Sequence, residues 1–295
     1  MASRLIKLQP QHSIFNLVDE VIRLPGRFRF RGTAIGAGGH ITMPFNELIE
    51  LQATSALPEI GGHGTARSVD FRCREILRFD LAQSEVTGSQ CTNGDGKPVF
   101  STRIKSTVEG LNVMDMVTAD RIVANLVSTC PEAGEPSVKL LGSRFENLRV
   151  AGIPIKVVPA LDVLDRYSTH TSLLNAYGSV ERVRDLFGDE SLRERFHEAP
   201  PQVARWFSHP VEANPEMPAI NGISSVSLVR KLEPEGEELD CWGHVIRVEG
   251  FGTVRLGEVS VSSLSRSVTM LQIDLNCPFV GRMMFCTSED GCNPG

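Results

Sequence analysis

Three histidines in this chain each follow a glycine: Gly39-His40, Gly62-His63 and Gly243-His244. Glycine lets the backbone come close to a bound group, and imidazole is the usual ligand for zinc or non-haem iron on a β-scaffold. His40, His63 and His244 are therefore a candidate metal set, with Zn or non-haem Fe as the cofactor it would take. His244 carries the stronger argument. In Trp242-Gly243-His244-Val245-Ile246-Arg247-Val248, strand alternation puts it on one face with Trp242, Ile246 and Val248 and turns Arg247 away. An inward imidazole needs a metal, a carboxylate or a carbonyl as partner. Glu75 is the second candidate catalytic residue beside His244. Alternation puts it on the apolar face of its strand, where a lone carboxyl would be held protonated and could act as general acid or base. Plainer roles fit the same residues: His40 and His63 in loops, His244 hydrogen-bonded in a core, and Glu75 turned outward by a β-bulge.

Aromatic residues give a further set. Trp206, Phe207, Tyr167 and Tyr177 fall in one helical block, and with Trp242 they could line a ligand pocket or simply pack that block down. Arg67, Arg72, Arg74 and Arg78 could form a basic stripe for an anionic partner, although Asp70 and Asp80 interrupt it. Cys277, Cys286 and Cys292 match no common zinc spacing. The chain has no Gly-x-Ser-x-Gly elbow, Walker loop, His-Glu-x-x-His or Cys-x-x-Cys, and Asn93-Gly94-Asp95-Gly96 lacks the closing Glu of a calcium loop.

These residues must be held by something. The chain has 295 residues, 41% of them hydrophobic and 22% charged, enough for one large core or two modest ones. Its net charge of −6 argues against general nucleic-acid binding, and no apolar run reaches the roughly 20 residues of a membrane-spanning helix. Met1 to Gln11 shows no apolar h-region, and seven scattered cysteines are not a disulfide framework. The expectation is a cytoplasmic protein with reduced thiols. Period-two alternation predicts strands at 27–35, 48–56, 69–80, 83–89, 98–107, 111–118 and 121–129. Helical spacing predicts an insertion at 159–217, with helices at 180–187, 191–198 and 202–207 and Ser179 as a cap. Strands resume at 224–231, 241–249, 252–262 and 267–275, and a Cys-containing, loosely packed tail follows from 277 to 295. The β-rich parts, 1–158 and 218–276, are expected to share one core.

One internal likeness stands out. Ser106-Thr107-Val108-Glu109-Gly110-Leu111-Asn112-Val113 aligns with Ser143-Arg144-Phe145-Glu146-Asn147-Leu148-Arg149-Val150 as Ser-x-apolar-Glu-x-Leu-x-Val. Repeated positions of this kind serve a fold, so Glu109 and Glu146 read as structural. Around them, Gly110-Leu111-Asn112-Val113, Thr118-Ala119-Asp120 and Leu148-Arg149-Val150-Ala151-Gly152-Ile153-Pro154 make residues 106–155 resemble bacterial choice-of-anchor β-proteins, the P family in particular. The resemblance implies a β-module at a cell surface or secreted, with no established chemistry and no catalytic residues to carry over. The missing leader and anchor and the helical block depart from that pattern.

The fold class expected is mainly β, an antiparallel β-sandwich or barrel with a helical insertion. Two functions follow. One is a non-catalytic module that binds a small ligand or a protein partner and could assemble as a homo-oligomer through an edge strand. The other is an enzyme with its site between the sheet and the helical block, using His40, His63 and His244 with Glu75.

Overall fold

The computed structural model describes residues 28–132, 134–177, 224–236, 239–276 and 278–293. Its strands, in chain order, are β1 (Arg29–Met43), β2 (Glu47–Gln52), β3 (Ser55–Ala56), β4 (Gly62–Cys73), β5 (Leu77–Thr92), β6 (Pro98–Val113) and β7 (Val117–Pro131). Then come β8 (Ser137–Lys139), β9 (Arg144–Glu146), β10 (Arg149–Val150) and β11 (Ile153–Pro159). Two short helices follow, α1 (Leu161–Arg166) and α2 (His170–Tyr177). The remaining strands are β12 (Ser224–Ser227), β13 (Val229–Pro234), β14 (Asp240–Trp242), β15 (Val245–Val248), β16 (Gly252–Val261), β17 (Ser265–Leu275) and β18 (Val280–Asn293).

They form two antiparallel sheets. Sheet I runs β14-β15-β16-β17-β18-β1-β2, with β12 on β16 and β3 on β1. Sheet II runs β13-β11-β10-β7-β6-β5-β4, with β8 and β9 on β7. The protein is a mainly β sandwich, and neither sheet closes into a barrel. Buried apolar side chains from both inner faces, among them Ile41, Phe79, Ile104, Ile122, Leu271 and Phe285, make one core. The β segments before and after the helical region thus share it. Helix α1 is tied to β13 by Asp162, whose two carboxylate oxygens each accept from Arg230 at 2.6 Å. The expected helices beyond 177, Ser179, Trp206 and Phe207 lie outside the described residues.

Both sheets carry a crease at the same level. In sheet I successive residues Gly36 and Ala37, Met270 and Leu271, and Phe285 and Cys286 are all buried, which breaks the strict alternation. In sheet II the successive pairs Val69 and Asp70, Asp80 and Leu81, and Asp120 and Arg121 all reach the surface. The kink residues take left-handed φ: Gly257 (63°) and Cys286 (51°) in one sheet, Asp70 (51°), Gly110 (64°) and Asn147 (51°) in the other. Small residues let the sheets meet here. A Cβ at Gly36 would lie 2.8 Å from the Cβ of Ala82, Ser106 donates to the Ile35 carbonyl at 2.8 Å, and Cys286 donates to the Ile122 carbonyl at 3.3 Å.

The internal likeness has a structural counterpart. Its two copies lie on either side of β7, so Glu109 and Glu146 both pair in register with Arg121, and Val113 and Val150 both pair with Val117. The left-handed residues recur at matching places: Gly110 with Asn147, and Met114 and Asp115 with Ala151 and Gly152. Glu109 pairs with Arg121 at 3.2 Å and Glu146 with Arg144 at 2.6 Å, so both glutamates tie neighbouring strand positions together.

Three sequence expectations need correcting. The single strand expected over 69–80 is a hairpin whose turn is Arg74-Glu75-Ile76, with Cys73 opposite Leu77. A three-residue turn keeps the parity of apolar positions unchanged, so alternation runs through it unseen. The strand expected over 241–249 is likewise the hairpin β14–β15. Residues 280–293, expected in a loose tail, form β18, which sits between β17 and β1 near the middle of sheet I.

Candidate functional site: the outward face of sheet I

Strand register decides which side chains of sheet I meet on the face away from the core. One row across the strands is Val245, Arg255, Gln272, Met284 and Gly38. The next is Thr253, Asp274, Arg282, His40 and Leu48. Directly opposed residues share a face, so these two rows form one surface. Apolar side chains between them, such as Val254, Ile273 and Met283, point into the core.

A polar network fills the rows. Arg255 is only 5% exposed. One of its terminal nitrogens lies 2.7 Å from Asp274 Oδ2 and the other 3.5 Å from Glu258 Oε1. Arg282 reaches the second oxygen of Asp274 at 2.6 Å. With its amide oxygen turned toward them, Gln272 accepts from Arg282 Nε at 3.0 Å and from Arg255. His244 approaches from the β14–β15 turn. Its Nε2 lies 3.5 Å from Glu258 Oε1, and its carbonyl accepts from the Leu256 N–H at 3.0 Å. Beside it Trp242 is buried and donates to Asp240 Oδ1 at 2.6 Å. A charge taken as far from water as Arg255 persists only when paired and hydrogen-bonded, and its guanidinium spans Asp274 and Glu258. The rim is apolar. Leu48 is 69% exposed and Leu51 55%, with Leu51 lying over Gly38.

The sequence-expected residues fall as follows. His244 is buried, but in the Gly243-His244 turn, with Trp242 opposite Val245 and on the other face from Ile246. His40 is exposed on the same outward face, bonded to Asn46. His63 is on β4 in sheet II, exposed, 3.1 Å from Thr87 Oγ1. The structure thus does not bring the three histidines together. Among the described residues, no group of three or more His, Cys, Asp or Glu is placed to hold a metal ion. Glu75 is exposed in the β4–β5 turn, so the enclosed carboxyl expected of it is not formed. Tyr167 packs at the edge of the core and closes α1, where its N–H reaches the Val163 carbonyl. Arg74 is engaged by Glu47 at 2.8 Å and stacks over Phe45 at 4.2 Å.

Arg255, Glu258, Gln272, Asp274 and Arg282 were not legible as a site. Each is an ordinary outward residue of its own strand, and only the register of three strands makes them neighbours. The two best-formed depressions among the described residues measure about 40 and 80 Å³. The larger lies where α1 meets the sheets, lined by Phe145, Leu161, Leu228 and Met270. Both fall far below the roughly 300 Å³ at which small-molecule sites begin.

Fold and surface together define a two-sheet antiparallel sandwich that presents a fixed polar network on one broad face. The chain belongs to a family described as a domain of unknown function, DUF8256, whose model matches residues 28–262. Neither a curated protein nor a solved structure matches it.

Proposed function

We propose that this chain is a non-catalytic β-module that binds a protein partner through the outward face of sheet I. One observation carries the reading: the Arg255–Asp274–Arg282 network lies on the face of the sheet turned away from the core, with exposed Leu48 and Leu51 at its rim. A preorganised set of donors and acceptors beside apolar side chains is the usual makeup of a protein-binding surface, and it needs no deep cavity. Cys73, Cys91, Cys130, Cys241 and Cys286 are free thiols, which fits a reducing, cytoplasmic setting. Among the described residues, no helix is long and apolar enough to cross a membrane.

The test joins cross-linking mass spectrometry, to identify the bound partner, with the substitutions Leu48→Lys and Leu51→Lys. Both side chains are exposed, so the thermal midpoint should stay near the parent value while partner binding falls at least tenfold. Unchanged binding in both variants removes the proposal.

A second reading is an enzyme that uses His244 and Glu258 as a proton-transferring pair. It is favoured by their 3.5 Å approach, with 9% and 12% of the two side chains exposed. Native mass spectrometry on protein purified without chelator separates the readings. A stoichiometric small-molecule or metal excess, lost in His244→Ala, would favour the enzyme.

A further inference from the structure

The outward face of sheet II carries two parallel rows of opposite charge. Register aligns Arg72, Arg78, Asn112, Thr118 and Arg149 across β4, β5, β6, β7 and β10. Two residues away along the strands, at the crease, lie Asp70, Asp80, Gly110, Asp120 and Asn147. The three arginines and three aspartates are all exposed. Strand rise puts the rows about 7 Å apart, and strand spacing makes each about 19 Å long. Among the described residues, Arg72, Asp70 and Asp80 make no ion pair, and Arg78 has only Asp115 at 3.5 Å. Arg72 and Arg78 stand directly opposite each other, a like-charge pairing that costs stability unless an anion lies over it.

We infer that this face is a self-association surface whose partner is a second copy of the chain. A two-fold axis lying along the rows, midway between them, maps each arginine row onto the aspartate row of the other copy. Arg72 then faces the second copy's residue 70, and Arg78 its residue 80, each twice by symmetry. Charge complementarity selects this occupant: the face is close to neutral overall, so a strongly charged partner gains little, while an inverted copy matches it row for row. Alternation makes the match possible: on each strand the aspartate lies two residues from the row of arginines and so shares its outward face.

The patch measures about 20 Å by 20 Å, roughly half the 800 Å² a side of a standard interface, so the association is weak and electrostatic. The net charge of −6 opposes it at long range. At about 0.1 M salt the screening length is near 10 Å, which quenches that repulsion but leaves contact pairs intact; at about 1 M it is near 3 Å and weakens the pairs too. This inference is independent of the function proposed for sheet I, since it concerns the opposite face.

The experiment is sedimentation velocity over a concentration series at these two salt levels. The parent chain should dimerise at the lower salt and about tenfold more weakly at the higher. The variant R72E/R78E, with both rows acidic, and the variant D70N/D80K, with its rows no longer opposed, should each stay monomeric. Asn is used at position 70 because it tolerates the left-handed φ there. Mixed together, the two variants should form a heterodimer. A parent that is monomeric at both salts, a dimer that survives R72E/R78E with its fold intact, or a mixture that fails to associate would each overturn the inference. Retained parental thermal midpoints separate lost association from lost folding.

Discussion

Replacing Asp290 by alanine tests how the sandwich tolerates charge in its core. Asp290 and Arg266 face each other across β17 and β18, 3.2 Å apart, with 0% and 1% of their side chains exposed. Gly32 stands next to Asp290 on β1, packed against Ile104 and Thr102 of sheet II, so the pair lies between the sheets. Removing the carboxylate leaves a guanidinium in a place water does not reach. Breaking one side of such a pair costs about 3–5 kcal/mol. At about 2–4 °C per kcal/mol for a domain of this size, Asp290→Ala should lower the thermal midpoint by roughly 6–20 °C. Because the pair is shielded, the drop should be nearly the same in low and high salt. The double variant R266M/D290L removes both charges while keeping most of the volume, and should recover to within about 1 kcal/mol of the parent or exceed it. Circular-dichroism melting of the three proteins measures all of this. A loss below about 1 kcal/mol for Asp290→Ala would mean the pair is hydrated. A double variant as unstable as the single would place the cost in packing, not charge.

Other expectations follow from the same structure. Gly36→Val should cost about 1–3 kcal/mol, because its Cβ would press on Ala82 Cβ at 2.8 Å and on the Gln52 carbonyl at 3.1 Å. Gly36→Ala combined with Ala82→Gly should restore part of the stability lost in Gly36→Ala. Burial pushes the Cys286 thiol up from the ordinary 9.0 to about 12. The unfolded chain therefore ionises first as pH rises, and stability that is complete below pH 9 is lost progressively toward pH 12. Between pH 9 and 10 the Cys286 share of the loss should be about 1 kcal/mol, and the total should shrink by that amount in Cys286→Ala, the rest coming chiefly from the half-buried thiol of Cys241. In the native state Cys91, exposed near the β5–β6 turn, should alkylate readily while Cys286 stays protected. A fragment ending at residue 262 should fail to fold, because it lacks β17 and β18 and leaves β1 and β16 each with one edge unpaired.

The fold class was legible because alternation is a local property. Gly252–Val261 and Ser265–Leu275 fall almost where the apolar pattern puts them. The repeat around Glu109 and Glu146 was legible too, since both copies answer to the same central strand. What stayed hidden was set by partners distant in the chain. Val280–Asn293 holds Gly281, Gly291 and two cysteines, a poor strand by composition, yet it pairs with residues some 250 positions earlier. The creases are invisible to a period-two reading, because one left-handed residue such as Asp70 or Cys286 changes the phase and the pattern then resumes. Arg266 did leave a signal: it shares the parity of Val268 and Met270, an apolar face where a charge must find a partner. The Arg255 network left none, since three strands had to be in register before its members met.

The pairing of β1 with β18 joins Arg29 to Asn293, so the first and last described strands are neighbours. During synthesis the ribosome delivers β4 to β7 early, and these hairpins can form from nearby chain. The apolar side of β1 meanwhile waits, with one edge unsatisfied, until more than two hundred further residues have emerged. Through that interval β1 is an unprotected strand bearing Phe30, Ala34 and Ile41. Its safety depends on the time translation takes and on whatever shields it meanwhile. Slow codons or a stalled ribosome in the second half of the message should therefore harm this protein more than equal delays early on.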